Sequence, residues 1–258
     1  MLYSIKNFIA HKFLLRELVI KGIKLKYRRS YLGILWSLLE PVLMTIVLTV
    51  IFGTLFNNNN PLFPLHILSG RLLYSFFSGA TNMSLRAIRS NASMIKKVYV
   101  PKYLYVLSSI IFSYIIFLIS LVVLFGLALI LKVYPTWNLL LIWIPLVLLF
   151  LLAFGVGMIL ATVGVFFRDM EYLWGVIMTV IMYASAIFYY PEKILSSAYW
   201  WILRYNPLYQ IIDMFRRCIM GQTITSFSLL YATGFTLVTI VFGCALFIKK
   251  QDKFILHI

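Results

Sequence analysis

A run of cationic residues lies directly before a long apolar segment near the start of the chain. Four of the six residues from Lys24 to Arg29 are Lys or Arg, and the residues from Leu32 to Phe56 are almost all apolar. A helix that crosses a bilayer needs about 20 mostly apolar residues. Lys and Arg beside such a helix resist translocation and mark its cytoplasmic end. The pattern predicts a first membrane crossing that starts in the cytoplasm, and later crossings must alternate with it.

The balance of apolar and charged residues points to lipid as the solvent. The 258-residue chain is 63% hydrophobic and 12% charged, whereas soluble domains carry about 25% charged residues. A net charge of +16 can indicate nucleic-acid binding, but here the cations lie between apolar segments rather than on one polar face. They favour a topological role and attraction to anionic membrane lipids. The predicted fold class is an all-α integral membrane protein that binds no nucleic acid.

Six apolar segments of sufficient length organise the chain. If both termini are cytoplasmic, most of the 23 Lys and Arg fall on the inside, as membrane topology requires. The predicted outside cations are Lys132, Lys193, Arg204, Arg216 and Arg217. The predicted crossings are residues 32–56, 65–87, 103–131, 138–166, 171–190 and 227–248. Residues 1–31 are expected to form a cytoplasmic interfacial helix, residues 32–250 the membrane domain, and residues 251–258 a cytoplasmic tail.

Polar residues within the predicted crossings are candidates for function, because polar groups are costly in hydrocarbon. Glu40 lies near the cytoplasmic end of the first crossing. It is expected either to form an ion pair with Arg28 and Arg29 or to couple transport to protons. The second crossing includes His66, Arg71 and several Ser and Gly residues. It should therefore face protein or an aqueous path, or else pack closely against other helices through its small residues.

A short basic segment from Arg86 to Lys102 is predicted to lie in the cytoplasm. Ser90 or Asn91 can begin a helix there, and Pro101 ends it. Such a helix would place apolar side chains on one side and Lys residues near its end, which suits docking onto a soluble partner. A simple connector is the alternative. The docking residues are predicted to be Asn91, Met94, Ile95, Lys96, Lys97 and Val98.

Three further patterns follow along the chain. Ala153, Gly157 and Ala161 place a small residue at every fourth position, which permits close approach of another helix. The turn after that crossing carries both signs of charge, at Arg168, Asp169 and Glu171. Residues 192–222 are too polar to span a bilayer and too apolar for a free loop. Two short helices that dip back into the membrane, with a break at Asn206-Pro207, are predicted there.

The chain lacks the patterns of common catalytic sites. It has no Gly-x-x-x-x-Gly-Lys-Ser/Thr loop for nucleotide phosphates, and its His and Cys residues have no metal-ligand spacing. No Ser/His/Asp set and no paired carboxylates fall on one side of the membrane. The sequence predicts that the chain is not an enzyme and holds no catalytic residue, metal or cofactor.

Three motifs in this order resemble the type-2 ABC exporter permeases for polysaccharides, the membrane subunits of O-antigen, capsule and teichoic-acid exporters. The motifs are Arg28 to Trp36 leading to Pro41, the turn from Phe166 to Asp169, and Tyr205-Asn206-Pro207-Leu208. The resemblance covers nearly the whole chain. Arg71 departs from it, because an apolar or aromatic residue is expected at that position.

The resemblance implies a homodimer in the bacterial inner membrane that binds two copies of a separate cytoplasmic ATPase, which holds ATP and Mg. The segment around Met94 would be the coupling helix, and aromatic side chains would line a channel for a lipid-linked glycan. The outer gate would comprise Tyr189, Tyr190, Pro191, Trp200, Trp201, Tyr205, Asn206 and Pro207. The interfacial site where substrate enters would comprise Arg28, Arg29, Tyr31, Trp36 and Glu40.

Three other functions are alternatives. One is a drug or lipid exporter of the same superfamily, which would differ in channel width and in the substrate that stimulates the ATPase. Another is a proton-coupled secondary transporter that uses Glu40. The third is an integral glycosyl- or acyltransferase, which the scarcity of acidic residues disfavours.

Overall fold

The computed structural model describes residues 11–28, 30–57, 59–97 and 100–257. These ranges contain helices and turns but no β-strand, which confirms the predicted all-α class. In chain order the α-helices are α1 (Lys12–Tyr27), α2 (Trp36–Leu55), α3 (Phe63–Ser90), α4 (Ala92–Ile95), α5 (Tyr103–Ile130), α6 (Trp143–Phe166), α7 (Met170–Tyr183), α8 (Glu192–Leu195), α9 (Trp200–Arg204), α10 (Pro207–Ile219), α11 (Ser226–Lys250) and α12 (Phe254–His257). Single 3₁₀ turns at Gly33–Leu35, Trp137–Ile142 and Gln251–Lys253 lead into α2, α6 and α12.

Four stretches of the described chain are long and apolar enough to cross a membrane: Gly33–Leu55, Tyr103–Ile130, Trp137–Phe166 and Ser226–Leu256. Helix α3 has 28 residues, about 42 Å, but it is more polar than these four. Helix α7 has 14 residues, about 21 Å, which is shorter than a hydrocarbon core of about 30 Å. The predicted helix over 171–190 is therefore too long, because α7 ends at Tyr183 and residues 184–190 form turns.

The polar helix α3 lies at the centre of the bundle. It packs against α2, α5, α6, α7 and α10, and most of its residues are buried. Its hydroxyl groups bond to its own backbone: Thr81 donates to the carbonyl of Phe77 at 2.7 Å and Ser84 to that of Ala80 at 2.8 Å. These bonds remove the cost of burying hydroxyls. The prediction that this segment faces protein is confirmed.

Small residues of α6 let two neighbouring helices approach it closely. A Cβ on Gly157 would lie 2.8 Å from the Ser84 hydroxyl of α3, and one on Gly164 would lie 2.5 Å from the Leu85 carbonyl. On the other side, a Cβ on Gly155 would lie 2.8 Å from the backbone of α11. The predicted close contact along this helix is thus confirmed, and it occurs on two faces.

We expect Gly243→Ala in α11 to lower the free energy of unfolding by about 2 kcal/mol. The new Cβ would lie 2.5 Å from the carbonyl oxygen of Gly155, so the two helices must separate. Gly234→Ala in the same helix is the control, because a Cβ there meets no atom within 4 Å. Unfolding of the purified chain in detergent would measure both. Equal stability of the two variants would contradict the close contact.

Helices α1 and α2 pack on the outside of the central group. Leu15 and Val19 are the buried residues of α1, which lies against α5, where Gly22 contacts Phe112. The Ser120 hydroxyl, in α5, donates to the Ser37 carbonyl at 2.9 Å. Helix α2 therefore begins beside the middle of α5, and most of its side chains stay exposed.

Candidate functional site

A pair of arginines and one glutamate join α3 to α7 at the predicted cytoplasmic end of the bundle. Arg86 Nε lies 2.8 Å from one carboxylate oxygen of Glu171, and Arg89 contacts the other. Glu171 is in the first turn of α7, where a carboxylate also interacts favourably with the helix dipole. Of the three predicted turn residues, Glu171 makes these contacts, whereas Arg168 and Asp169 are exposed.

The predicted docking segment follows α3 after a single residue. The Asn91 side-chain amide donates to the Ala87 carbonyl at 2.8 Å, so it closes the end of α3 and makes no side-chain cap on α4. Ile95 is buried in the core and Met94 packs partly against it. The prediction of an exposed apolar surface that includes Ile95 is therefore wrong. Lys96 and Lys97 are exposed, and Val98 lies outside the described residues.

A cavity of about 270 Å³ lies between α1, α2, α3 and α5, and charged residues line it. Lys26, Glu40 and Arg71 come from three different helices, among aromatic rings and Ser side chains. Glu40 forms no ion pair with Arg28, so that expectation is wrong for the described part of the chain; Arg29 lies outside it. Glu40 instead interacts electrostatically with Arg71. The unexpected cation of α3 thus has an acidic neighbour across the cavity.

Two other residues of the predicted substrate-entry site, Tyr31 and Trp36, are exposed at the surface. Tyr31 is fully exposed, and the Trp36 side chain is 46% exposed while also lining the cavity. The Tyr27 hydroxyl is buried in the same wall, and no described residue forms a hydrogen bond with it. The cavity thus combines three charged side chains with aromatic and aliphatic walls.

The segment before α10 is built around Asn206. Its side-chain oxygen accepts from the backbone amides of Leu208 and Tyr209 at 3.0 and 3.2 Å, and its amide donates to the Ala184 carbonyl at 2.9 Å. Asn206 is therefore the N-cap of α10, with Pro207 at its first position. The predicted break at Asn206-Pro207 is confirmed. The region contains three short helices, α8, α9 and α10, rather than the two predicted.

The guanidinium of Arg216, in α10, is buried. It donates to the carbonyls of Ala186 and His66 at 3.0 and 2.8 Å and to the Ser69 hydroxyl at 3.3 Å. His66 Nε2 also donates to the carbonyls of Ala186 and Tyr189, each at 3.1 Å. This network, which we call the Arg216 cluster, joins α3, α10 and residues 184–190.

The sequence analysis missed the Arg216 cluster, because it considered Arg216 only as one of the outside cations that set the membrane topology. Helical spacing could have shown its position, since Arg216 follows Leu208 and Ile212 at intervals of four and all three are buried. Of its neighbours, Arg217 pairs with Asp213 at 2.7 Å and Arg204 packs over the rings of Trp200 and Phe227. Three of the predicted outside cations, Arg204, Arg216 and Arg217, therefore make structural contacts.

The predicted gate residues occupy different surroundings. Trp200, Trp201 and Tyr205 are exposed, and Pro191 and Tyr190 are half-buried. The Tyr189 hydroxyl donates to the Tyr183 carbonyl at 2.6 Å, and the Tyr190 ring lies 4.6 Å from that of His66. Tyr189 and Tyr190 thus belong to the wall around the Arg216 cluster, whereas Trp200, Trp201 and Tyr205 lie at the surface.

Comparison with known proteins places this architecture in a family. A family model described as ABC-2 type transporter matches residues 14–220. The chain is 30% identical over 239 residues to the O-antigen export system permease protein RfbA of Klebsiella pneumoniae, covering 91% of this chain and 90% of the relative. It is 27% identical over 259 residues to the polysialic acid transport protein KpsM of Escherichia coli, with 95% and 96% covered. It is 21% identical to the capsule polysaccharide export inner-membrane protein CtrC of Neisseria meningitidis, with 86% and 85% covered. The chain therefore belongs to the ABC-2 type transporter family.

Proposed function

We propose that the chain is the membrane-spanning permease subunit of an ATP-driven exporter that moves a lipid-linked polysaccharide across the inner membrane. The observation that carries the proposal is its similarity, over at least 85% of both chains, to proteins named for O-antigen, polysialic acid and capsule export. The polymer would be of the O-antigen, capsule or teichoic-acid type. The chain has no nucleotide-binding loop, so ATP and Mg would bind to a separate ATPase subunit.

The proposed topology has six crossings with both termini in the cytoplasm. The four long apolar stretches supply four of them. The other two would be α3, whose polar residues are covered by neighbouring helices, and α7 together with residues 184–190. In this arrangement α8, α9 and α10 dip back from the outer face as gate helices, where the protein covers their backbone. The interfacial helix would be α1, within the segment 1–31, of which residues 1–10 and 29 lie outside the described residues. Residues 32–250 would form the membrane domain and residues 251–258 the tail.

A homodimer would explain the surfaces that a single chain leaves open. Helices α2 and α7 each bury few residues. Beside α2, the polar side of α3 exposes Ser75 and part of Arg71. Charged groups at this depth need water or protein around them. Two copies that face each other through these helices would enclose an aqueous path for the glycan, with Glu40 and Arg71 in its wall and membrane lipids outside.

The exposed side chains of Lys96 and Lys97, which follow α4, would make the docking contact with the ATPase. Helix α3 is a continuous rod that ends one residue before α4, and Arg89 near that end is held by Glu171. Force applied by the ATPase at Met94 to Lys97 would therefore reach both α3 and α7. Asn91 would position the segment, and Ile95 would anchor it to the core.

We expect Lys97→Glu to reduce co-purification of the partner ATPase by about tenfold, the equivalent of about 1.4 kcal/mol. Lys97 is exposed in the proposed interface, so the substitution would reverse a charge there without opening the core. Lys253→Glu is the matched control, because Lys253 is also exposed and lies in the proposed cytoplasmic tail. Normal co-purification and export in Lys97→Glu would contradict the docking role.

The decisive test of function is reconstitution of the chain with its ATPase in vesicles. We expect lipid-linked glycan to stimulate ATP hydrolysis and to cross the membrane only when both subunits and ATP are present. A partner ATPase that lacks its phosphate-binding lysine is the control. Transport by the chain alone would contradict the proposal. Stimulation by small amphipathic drugs instead of glycan would favour the drug-exporter alternative.

We expect Glu40→Gln to retain most ATP-driven export. Glu40 interacts with Arg71, and an exporter driven by ATP does not require Glu40 to transfer protons. A proton-coupled transporter would lose transport with this substitution. Export rates at fixed ATP, with the proton gradient intact or collapsed, would separate the two. Loss of export in Glu40→Gln together with sensitivity to gradient collapse would contradict the ATP-driven mechanism.

A further inference from the structure

The charged cavity between α1, α2, α3 and α5 carries more positive than negative charge. Of the described residues in its wall, Lys26 and Arg71 are cationic, and Glu40 is the one acidic residue. Glu40 interacts electrostatically with Arg71, but within the described chain the Arg71 guanidinium forms neither a hydrogen bond nor an ion pair. Arginine has five N–H donors. These donors therefore remain available to a group that enters the cavity.

Arg71 lies deep inside the bundle. It is about 12 Å from the start of α3 at Phe63 and about 28 Å from the end of this helix at Ser90. The start of α3 is the outer end in the proposed topology. A cation at such a depth is costly unless protein, water or an anion surrounds it. Because Arg71 has no direct partner in the described chain, a structural ion pair does not account for its position.

The rest of the cavity wall offers further donors. Arg71, Ser75 and Gly79 follow one another at intervals of four on the side of α3 that lines the cavity. The Tyr27 hydroxyl, from α1, is buried and forms no hydrogen bond with a described residue. The Lys26 ammonium lies 5.5 Å from the centre of the Tyr27 ring. Carboxylate and phosphate groups accept strong hydrogen bonds from cationic donors, so an excess of positive charge with free donors suits an anionic group.

We propose that this cavity binds the anionic groups of an acidic polysaccharide, with Arg71 as the main donor and Lys26 as the second cation. This inference rests on the proposed function and names the class of glycan that the exporter prefers. Arg71 is inside the bundle, where it meets each repeat unit of a polymer that passes along this wall. Lipid head groups lie at the membrane surface instead. The aromatic rings of the wall contact the sugar rings without regard to charge.

The test uses the complete complex with its ATPase in vesicles, and two lipid-linked glycans. One glycan has a uronic acid in each repeat unit, and the other is the same glycan after its carboxylates have been reduced to primary alcohols. Both keep the same phosphate linkage to the lipid. At low glycan concentration, we expect the acidic glycan to be exported about tenfold faster, the effect of one hydrogen bond to a charged group. Equal rates would overturn the inference.

Substitutions assign this preference to the cavity. Arg71→Gln should lower the ratio of the two export rates about tenfold, whereas Arg71→Lys should keep part of the preference because it retains the charge. Glu40→Gln removes the acidic residue of the wall and should raise the ratio. Lys24→Gln is the matched control, because Lys24 is exposed on α1 and is not among the described residues that line the cavity. A ratio that Arg71→Gln leaves unchanged would place the selectivity elsewhere.

A second variant tests whether the polymer passes through the cavity at all. A Cβ on Gly79 meets no atom within 4 Å, so Gly79→Phe fills the cavity without disturbing the backbone. We expect it to slow the export of both glycans. Gly126→Phe in α5 is the control, because a Cβ there also meets no atom within 4 Å and the residue lies away from the cavity wall. Normal export in Gly79→Phe would contradict a path through this cavity.

Other anions give different results. If Arg71→Gln slowed both glycans equally, the phosphate linkage that they share would be the bound group. If Arg71→Gln acted only in vesicles that contain anionic lipids, a lipid head group would be the ligand. Either result would remove the assignment to the polymer. Export of both glycans at equal rates leaves the proposed function intact and removes this inference alone, whereas export of neither, with ATP and both subunits present, contradicts the proposed function.

Discussion

Arg216→Gln is expected to lower the free energy of unfolding by about 3 kcal/mol and to abolish export. Arg216 satisfies two buried carbonyl groups and one hydroxyl, and glutamine is too short to reach all three. Each buried polar group left without a partner costs about 1–3 kcal/mol. Because the bonds join α10 to α3 and to residues 184–190, their loss would free α10 and residues 184–190 from α3. Unfolding in detergent and glycan export by the reconstituted complex would measure the two effects.

A second substitution tests the same cluster from the opposite side. A Cβ on Gly70 would lie 2.5 Å from a terminal nitrogen of Arg216, so Gly70→Ala should displace the guanidinium without removing it. We expect a smaller loss, about 1–2 kcal/mol. We expect Arg216→Gln to add little to Gly70→Ala, since both break the same contacts. Fully additive losses would show that Gly70 acts independently of the cluster.

The control is the adjacent cation. Arg217 pairs with Asp213 four residues earlier, and the two side chains are 36% and 21% exposed. A partly exposed pair of this kind contributes less than about 1 kcal/mol, so Arg217→Gln should retain stability and export. If Arg216→Gln were as mild as Arg217→Gln, the Arg216 cluster would not be what holds α10 and residues 184–190 to α3.

The positions of the long apolar helices could be predicted from the sequence, because long apolar runs restrict where the chain can be placed. Apolar runs such as 103–131 and 138–166 can be satisfied only in lipid or in a large core, and the observed helices begin and end within a few residues of them. The polar segment 65–87 was predicted to face protein because hydroxyls and a guanidinium are costly in hydrocarbon. Its place at the centre of the bundle follows from the same argument.

Partners across long sequence separations could not be predicted. A pattern shows which side of a helix is apolar, but not which carbonyl a buried donor reaches, and Arg216 bonds to residues 147 and 150 positions away. Ile95 was expected on the apolar side that docks the partner. The helix has only four residues, and its apolar side packs against the core instead. Glu40 was assigned to nearby arginines because sequence proximity was the available guide, whereas Arg71 faces it from another helix.

Glu171→Arg is expected to uncouple ATP hydrolysis from export, with export falling at least about tenfold while ATP hydrolysis continues. The wild-type carboxylate contacts Arg86 and Arg89, and the substitution places a third cation between them. Like charges about 4 Å apart repel by about 1–4 kcal/mol near a protein surface, and the half-buried Arg89 contributes more of this than the exposed Arg86. The repulsion would separate the end of α3, and the docking segment after it, from the start of α7. The ratio of glycan exported to ATP hydrolysed is the measurement.

A charge swap separates this contact from a general effect of charge. Arg89→Glu alone should also lower the ratio, but Arg89→Glu combined with Glu171→Arg restores one pair of opposite charges in the same place. We expect the double variant to recover more export than either single variant, which is a coupling that independent sites do not show. Because Arg86 would still face the new cation, recovery should be partial.

A substitution of Asp169, the neighbouring acidic residue, tests whether the effect of Glu171→Arg depends on its position or only on the change of charge. Asp169 lies in the same turn and is exposed, so Asp169→Arg makes the same change of charge without entering the contact between α3 and α7. It should leave the ratio of export to hydrolysis near that of the wild-type complex. If it lowered the ratio as far as Glu171→Arg does, the ATPase would be sensing the charge of the whole cytoplasmic face. Force would then not need to pass through Glu171 to reach α7.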